Sequence, residues 1–560
     1  MLLRRTAYLA LTLCLSLPPV AAVSEGIAGP YLAAVQATYR NDYTTAAEYF
    51  VQASAHDPGN PFLIQNGIVN NVIADRFQVA VPLARQILEQ DADHQLAGLV
   101  LIADALQREQ YDTAGDMLAD ESLRLNPLLA GLLAGWVQAG KGDITQAQAS
   151  FDAMSSNSNF SPIGQFHKGM VLALAGNFDG AAEILAGDAD GPLHINRASI
   201  VAHVQVLVQL GQGDEAIALI DDTPGAGFDP ELVQLRARIA DGAEVPFDYI
   251  TSPQDGAAEV FLTLATALVQ EEADRFALIY ARLAQQIRPG YVDALLVSAG
   301  IFDDQGQFDL ASSDFARVPE TSAAYVSAEI GRANAKADAG DADQAVEALQ
   351  SLTAKFSDDA RTFEALGDAL RREERYEEAA ASYSQVIDRI QEATRGDWRS
   401  YYVRGIAYER TGEWDKAEAD FRKALELQPE QPLVLNYLGY SLVELNLKID
   451  EAKDMIERAL AGDPDNGFIT DSLGWVLYRT GQFEDAVPHM ERAVELMPSD
   501  PVINDHLGDV LWKVGRKNEA VFQWKRALSF EPEEKDATRI RRKLDVGLDV
   551  VLEEEATSEN

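Results

Sequence analysis

Cysteine is almost missing from this chain: Cys14 is the one thiol in 560 residues. Cleavage after Ala22 would leave none, which removes disulfides, thiolate metal sites and cysteine nucleophiles together. Basic residues are scarce too, with 46 Lys and Arg against 89 Asp and Glu and a formal net charge of −43. Self-repulsion and counterion physics turn so acidic a chain away from phosphate backbones and anionic lipid, so nucleic acid is excluded as a main partner. No apolar run reaches the roughly 20 residues that a membrane-spanning helix needs, which excludes stable transmembrane insertion. The seven histidines (His56, His94, His167, His194, His203, His489 and His506) form no His-x-x-x-His or His-Glu-x-x-His spacing. His194 and His203, nine residues apart, read as surface or packing residues. A Walker-type glycine loop and a Gly-x-Ser-x-Gly elbow are both absent. Asp221-Asp222 and Asp303-Asp304 read as helix caps and not as acid/base pairs. The expectation is a non-enzyme with no catalytic residues, no cofactor and no metal.

What is present begins with a targeting pattern. Arg4 and Arg5 precede an apolar run from Ala7 to Leu17, then Pro18-Pro19 and Val20-Ala21-Ala22. A basic region, a short apolar region and a small-residue cleavage site make residues 1–22 a secretory signal peptide. Leu13, not a small residue, precedes Cys14, which speaks against lipid attachment there. The expected location is periplasmic, with peripheral outer-membrane association as a further possibility. The whole chain is 47% apolar and 24% charged, the balance of a folded protein.

The strongest signal is a period. Gly405, Gly439, Gly474 and Gly508 are 34, 35 and 34 residues apart, and Pro429, Pro464, Pro498 and Pro532 follow at 35, 34 and 34. From Gly405, Ala417 comes at +12, Phe421 at +16 and Ala424 at +19. From Gly474 the same slots hold Ala486, Met490 and Ala493, and from Gly508 they hold Ala520, Trp524 and Ala527. From Gly439 they hold Ala452, Ile456 and Ala459, displaced by one residue as an insertion near Asn446–Ile449 requires. Two short antiparallel helices pack closely only where small residues meet, so Gly and Ala mark the crossing and the large residue at +16 fills space between neighbouring pairs. Gly412, Gly481 and Gly515 suit the tight turn, and the prolines end the second helix.

This pattern resembles the tetratricopeptide repeat, a helix–turn–helix unit of 34 residues. Four consecutive units in 398–532 carry nearly every slot. Gly367 leads to Ala379, Tyr383 and Val386; Gly135 to Ala147, Phe151 and Met154; Gly169 to Ala181 and Leu185. The first unit places Ala34 in the glycine slot, followed by Ala46, Phe50, Ala53 and Pro58. The resemblance implies an all-α fold, an α-solenoid of stacked pairs wound as a right-handed superhelix.

Two places interrupt the period. Residues 226–256, crowded with Pro and Gly, can hold one short helix near Pro230–Ala240 and read as a hinge between an N-terminal degenerate array (29–225) and a C-terminal array (257–532). Gln391–Trp398 reads as a longer loop. Residues 533–547 read as a capping helix that carries the densest basic cluster, Lys535, Arg539, Arg541, Arg542 and Lys543, and faces the acidic tail Glu553–Glu555. Residues 548–560 are expected to be disordered. Residues 23–330 carry 14 basic and 41 acidic residues, whereas 331–560 carry 30 and 48. The more mixed C-terminal half is easier to match with a specific protein.

With catalysis set aside, binding remains. The family resemblance implies that the first helix of each unit lines a groove. Carried onto this chain, the groove slots are Arg399, Tyr402, Ile406 and Glu409; Leu433, Asn436, Tyr440 and Val443; Phe468, Asp471, Trp475 and Tyr478; and Val502, Asp505, Asp509 and Trp512. Tyr402, Asn436, Tyr440, Asp471, Trp475, Tyr478, Asp505 and Trp512 are the candidate partner site, because aromatic anchors with a few polar neighbours favour protein recognition. Trp475 and Trp512 are divided between groove exposure and packing; Trp414 and Trp524 fall in second-helix core slots. The Lys set with which some family members hold C-terminal carboxylates is absent, and Asp471, Asp505 and Asp509 favour a basic or amide-rich segment. The stretches Asn436-Tyr-Leu-Gly-Tyr, Asp471-Ser-Leu-Gly-Trp-Val-Leu-Tyr-Arg-Thr-Gly and His506-Leu-Gly-Asp-Val-Leu-Trp-Lys-Val-Gly are similar to exported bacterial repeat proteins. That group includes adaptors of a periplasmic carboxy-terminal processing protease. The likeness implies an exported scaffold or adaptor with a protein or peptide partner in the envelope, and leaves that partner open. Glycan binding in envelope polysaccharide or outer-membrane biogenesis is the alternative, since aromatics beside Asp and Asn also suit sugars.

Overall fold

The computed structural model describes residues 26–154, 160–187, 193 and 196–558. The expected signal sequence 1–22 with Cys14, His194 and the last two residues lie outside the described residues. Among the described residues the structure is helical, and it divides into two compact units, 1–345 and 346–560.

In unit 1, helix pairs follow in order: α1 (Ala28–Tyr39) and α2 (Tyr43–His56), α3 (Pro61–Ile73) and α4 (Phe77–Leu88), α5 (Gln95–Gln107) and α6 (Tyr111–Leu118). Next come α7 (Pro127–Gly140) and α8 (Ile144–Met154), α9 (Ser161–Leu174) and α10 (Phe178–Leu185), and α11 (Arg197–Gln209) and α12 (Gly213–Asp221). A single helix, α13 (Pro230–Ala240), precedes α14 (Pro253–Gln270) with α15 (Asp274–Ile287), α16 (Val292–Asp304) with α17 (Phe308–Phe315), and α18 (Tyr325–Asp338). The division into units falls within α19 (Ala342–Lys355). Unit 2 continues with α20 (Ala360–Arg372) and α21 (Tyr376–Ile387), α22 (Trp398–Arg410) and α23 (Trp414–Leu427), and α24 (Pro432–Glu444) and α25 (Ile449–Gly462). It ends with α26 (Gly467–Arg479) and α27 (Phe483–Leu496), α28 (Pro501–Lys513) and α29 (Lys517–Ser529), α30 (Glu534–Val546) and α31 (Leu548–Ser558).

The repeating glycine has a more local cause than the crossing of axes alone. A Cβ on Gly508 would lie 2.4 Å from Trp524, one on Gly405 2.7 Å from Phe421, and one on Gly367 2.5 Å from Tyr383. The large +16 side chain therefore rests on the glycine of its own pair, not chiefly between neighbouring pairs, and the missing Cβ sets how near the two helices come. Trp524, Phe421, Met490 and Ile456 are fully buried in this way, while Trp414 is half-buried at the edge of the same core. The turns take the left-handed conformation at Gly412, Gly481 and Gly515 (φ +79°, +78° and +83°). At the one-residue insertion Asn446 and Lys448 adopt it instead (φ +55° and +43°). The degenerate first unit packs as its slots require, with Ala34, Ala46, Phe50 and Ala53 in one cluster.

The segment 226–256 contains the expected helix Pro230–Ala240 but lies inside unit 1, where it is fastened down. Gln205 of α11 donates from Nε2 to Asp248 Oδ1 (2.7 Å) and accepts from the backbone N–H groups of Asp248 and Tyr249 (3.0 and 3.1 Å). Gln209 Nε2 donates to the Val245 carbonyl (2.7 Å). Held so, the segment reverses the chain and sends α14 and α15 onto the face shared by the first helices: α14 packs on α7, and α15 on α5 and α3. A Cβ on Gly256 would lie 2.2 Å from the buried Trp136, whose Nε1 donates to His167 Nδ1 at 3.1 Å. Burial holds His167 neutral, its pKa pulled down to about 3. Arg282 of α15, 1% exposed, donates to the Ile73 carbonyl (2.9 Å) and pairs with Asp314 (2.8 Å). Tyr43 donates to Gln305 Oε1 (2.9 Å), so the start of the unit is tied to its end.

Beneath the same segment, the buried Glu259 carboxyl accepts from the Tyr249 hydroxyl (2.7 Å), the Tyr291 hydroxyl and Thr263 Oγ1 (3.2 Å). Burial pushes its pKa up to about 7, against the opposing pull of those donors. A carboxyl raised in the folded state contributes stability that is full below its ordinary value of 4.5 and is lost as pH rises through 7.

Two outcomes follow for unit 1. Gly256→Ala should destabilise it by about 1–3 kcal/mol through overpacking on Trp136, whereas Gly300→Ala, where nothing stands within 4 Å, should stabilise by about 0.5–1 kcal/mol; urea unfolding reads both. Thermal melts should lose midpoint between pH 5 and pH 8, and Glu259→Gln should flatten that slope; an unchanged slope would refute the burial of a titrating carboxyl.

Candidate functional site

In unit 2 the first helices α24, α26 and α28 contact one another in succession, so the residues of their shared face form one surface. Each starts on a side-chain cap. Gln431 accepts from the Leu433 N–H, Asn466 from the N–H groups of Phe468 and Ile469, and Asp500 from those of Val502 and Ile503. These caps fix where each helix begins, and so which residues line the face.

Leu433, Phe468 and Val502, at the equivalent first slot of three successive repeats, are 47%, 53% and 44% exposed. Deeper slots are closed. Tyr402 lies half-buried, edge-on to Tyr437 at 5.9 Å. Asn436 carries a buried Oδ1 with no hydrogen-bond partner among the described residues. Tyr440 is half-buried, and burial together with the Glu444 carboxylate raises its hydroxyl well above the ordinary range. Trp475 and Tyr478 are each 8% exposed and stack on one another at 4.8 Å. Trp475 also stacks on His506 at 3.9 Å and donates from Nε1 to Glu444 (2.6 Å). Asp471 holds His506 Nδ1 at 2.9 Å. Burial disfavours the imidazolium, but the Asp471 carboxylate outweighs it, so His506 titrates above its usual range.

The last slots, on α28, are engaged by the two helices that follow the repeats. Lys543 of α30 is fully buried, its Nζ 2.8 Å from Asp505 Oδ2 and 2.6 Å from Asp509 Oδ1. Asp509 also accepts from Trp524 Nε1 (2.9 Å). Arg539, one helical turn before Lys543, lies 3.4 Å from Asp509 and pairs with Glu555 at 2.7 Å. Asp549 of α31 accepts from Trp512 Nε1 (2.9 Å) and Lys513 Nζ (2.7 Å). The field of Asp536, at the start of α30, reaches Tyr440 on α24, and those of Arg539 and Asp549 reach Tyr478. Helix α30 packs on α28 through Lys543 and Arg539. The expected cap at 533–547 is present as a helix. Residues 548–558, expected to be disordered, form α31 instead, because Leu548 and Val551 are buried and Glu554 and Glu555 pair with Arg542 and Arg539.

Of the candidate residues, Asp471, Trp475 and Tyr478 come together beside His506, while Asp505 meets Lys543 of α30 and Trp512 meets Asp549 of α31. Tyr402 belongs to a separate aromatic patch, and Asn436 and Tyr440 lie between. The sequence reading missed His506, Glu444 and Asp549. His506 bears no motif, but the groove carboxylates and the basic cluster of α30 were each visible and are complementary.

Unit 1 holds a cleft of about 410 Å³ bounded by Arg197, Glu231, Asp248, Arg288, Tyr291 and Asp293. Two of its arginines are paired: Arg197 with Asp229, Glu231 and Asp293 at 2.5, 2.5 and 3.1 Å, and Arg288 with Asp255 at 3.3 Å. Among the described residues no group of three or more His, Cys, Asp or Glu is placed to hold a metal ion. Among them, too, no helix is long and apolar enough to cross a membrane.

Comparison with known proteins agrees with the repeat geometry. Family models described as tetratricopeptide repeat match residues 358–430, 402–467 and 438–501. The chain is 26% identical over 163 residues to a TPR repeat-containing protein of Pseudomonas aeruginosa, which covers 29% of this chain. The match spans 27% of the length of that curated relative. Among solved structures, yeast Tom70 is 13% identical, covering 93% of this chain and 95% of its own at a TM-score of 0.36. A tetratricopeptide repeat protein of Parabacteroides merdae is 16% identical, covering 46% and 98% at a TM-score of 0.38. Over residues 358–501 the chain is similar to the tetratricopeptide repeat family.

Proposed function

We propose that this protein is a non-catalytic, exported scaffold or adaptor that holds a protein partner of the cell envelope on the first-helix face of unit 2. The observation that carries the reading is that this face already binds a helix, α30, through the Asp505 and Asp509 carboxylates, which hold the buried Lys543. A surface that recognises a helical segment in this way is of the helix-in-groove kind. Leu433, Phe468 and Val502 extend it as exposed apolar contacts along its edge, and isolated apolar side chains repeated at one slot suit a partner laid along the stack. Support for export is the basic, apolar and small-residue pattern of residues 1–22. A glycan platform is less well supported, because the faces of Trp475 and Tyr478 are engaged with each other and with His506.

Captured from envelope extract by the intact protein, a partner bound at this face should be reduced at least about tenfold by Leu433→Asp/Phe468→Asp, since exposed positions tolerate substitution without unfolding. Identical partner lists at equal thermal stability would remove this face from the account. The purified exported protein should begin at Val23; a chain that keeps Met1 and stays in the cytosol would contradict export.

A further inference from the structure

Resting on the scaffold reading above, we infer that α30–α31 is an intramolecular ligand, and that the groove's external partner is a basic amphipathic helix that replaces it. The partner helix presents a lysine and an arginine one turn apart beside small and aliphatic side chains. That specification is read from the occupant. Arg539 and Lys543 are four residues apart, on one face of α30, with Ala537, Ile540 and Leu544 as the apolar neighbours. Asp505 and Asp509 are likewise four apart on α28, so the two pairs meet turn against turn. Two carboxylates fixed on one helix face are poorly solvated and repel one another when no cation lies between them. Lys543 and Arg539 supply the cations that relieve this repulsion.

Two features make this occupant exchangeable where the ordinary repeats are not. The buried apolar side chains of α30 and α31 are few, namely Ala537, Ile540, Leu548 and Val551. The remaining ties are ion pairs with half-exposed partners, Glu555, Glu554 and Asp549, 44%, 49% and 57% exposed at the side chain. Such pairs weaken with salt and hold little by themselves. The hinge is Gly547, at φ +87°, where the chain turns from α30 into α31 against the ring of Trp512.

The test uses the full-length chain and a labelled synthetic peptide of residues 533–558. In wild type the groove is filled, and apparent affinity falls by the fraction of molecules that are open. Lys543→Glu repels α30 from Asp505 and Asp509 and should bind the peptide at least about tenfold more tightly than wild type. The same peptide carrying Lys543→Glu should not bind. Should that chain variant fail to fold, Arg542→Ala/Asp549→Ala loosens the helices while leaving the groove pair intact, and should give a gain in the same direction. Equal binding to wild type and variants, or equal binding of the two peptides, overturns the inference. Partner capture separates this from the scaffold reading: a partner held equally by wild type and by Lys543→Glu refutes only the replacement of α30, whereas no partner on either refutes both.

Discussion

A stack of helix pairs cannot bury the face that its first helices share, and most of this structure follows from how that face is covered. Stacking satisfies the sides of each pair through the glycine-to-large-residue contact, as between Gly508 and Trp524, but leaves one surface of every first helix without a neighbour. In unit 1 the chain supplies the neighbour itself, with α14 and α15 on α3, α5 and α7. In unit 2 the later helices α30 and α31 do the same on α28. Two covers of different chemistry result. The first is apolar and interlocked, Trp136 against Gly256. The second turns on one amine between two carboxylates, Lys543 with Asp505 and Asp509.

That difference matters for function because the two kinds of contact respond differently to competition. Close-packed apolar contact is lost only when the surrounding structure opens. A buried cation contributes specificity more than stability, since desolvation offsets much of its attraction, and another cation of the same geometry can take its place. Unit 1 is accordingly read as a closed support. Unit 2 is read as the recognising part, with the exposed Leu433, Phe468 and Val502 beside the occupied groove.

The repeats were legible because their slots are local. Gly405, Ala417, Phe421 and Ala424 answer to packing within one helix pair, and spacing along the chain records that directly. The short helix 230–240 was legible from its bounding Pro and Gly. The role of 226–256 was not, because the Gln205 contacts that pin it cross more than forty residues and carry no periodic mark. The proposed groove slots lie on the helices α22, α24, α26 and α28, and Trp475, which the sequence left divided between groove and packing, is buried. Trp475 and Tyr478 are closed by stacking on one another, and Trp475 by His506 of the next repeat, a contact that no pattern within their own repeat reports. The tail 548–560 read as disordered because chain termini commonly are; the order of 548–558 depends on Arg539 and Arg542 of the preceding helix.

Hydrogen exchange on the intact chain, followed segment by segment, addresses this account most directly. It predicts that amides of α14 exchange as slowly as those of α5 and α7, and that amides of α30 exchange faster than those of α26 and α28 yet far slower than a free peptide. Free exchange in α14, or protection of α30 indistinguishable from that of α28, would contradict it.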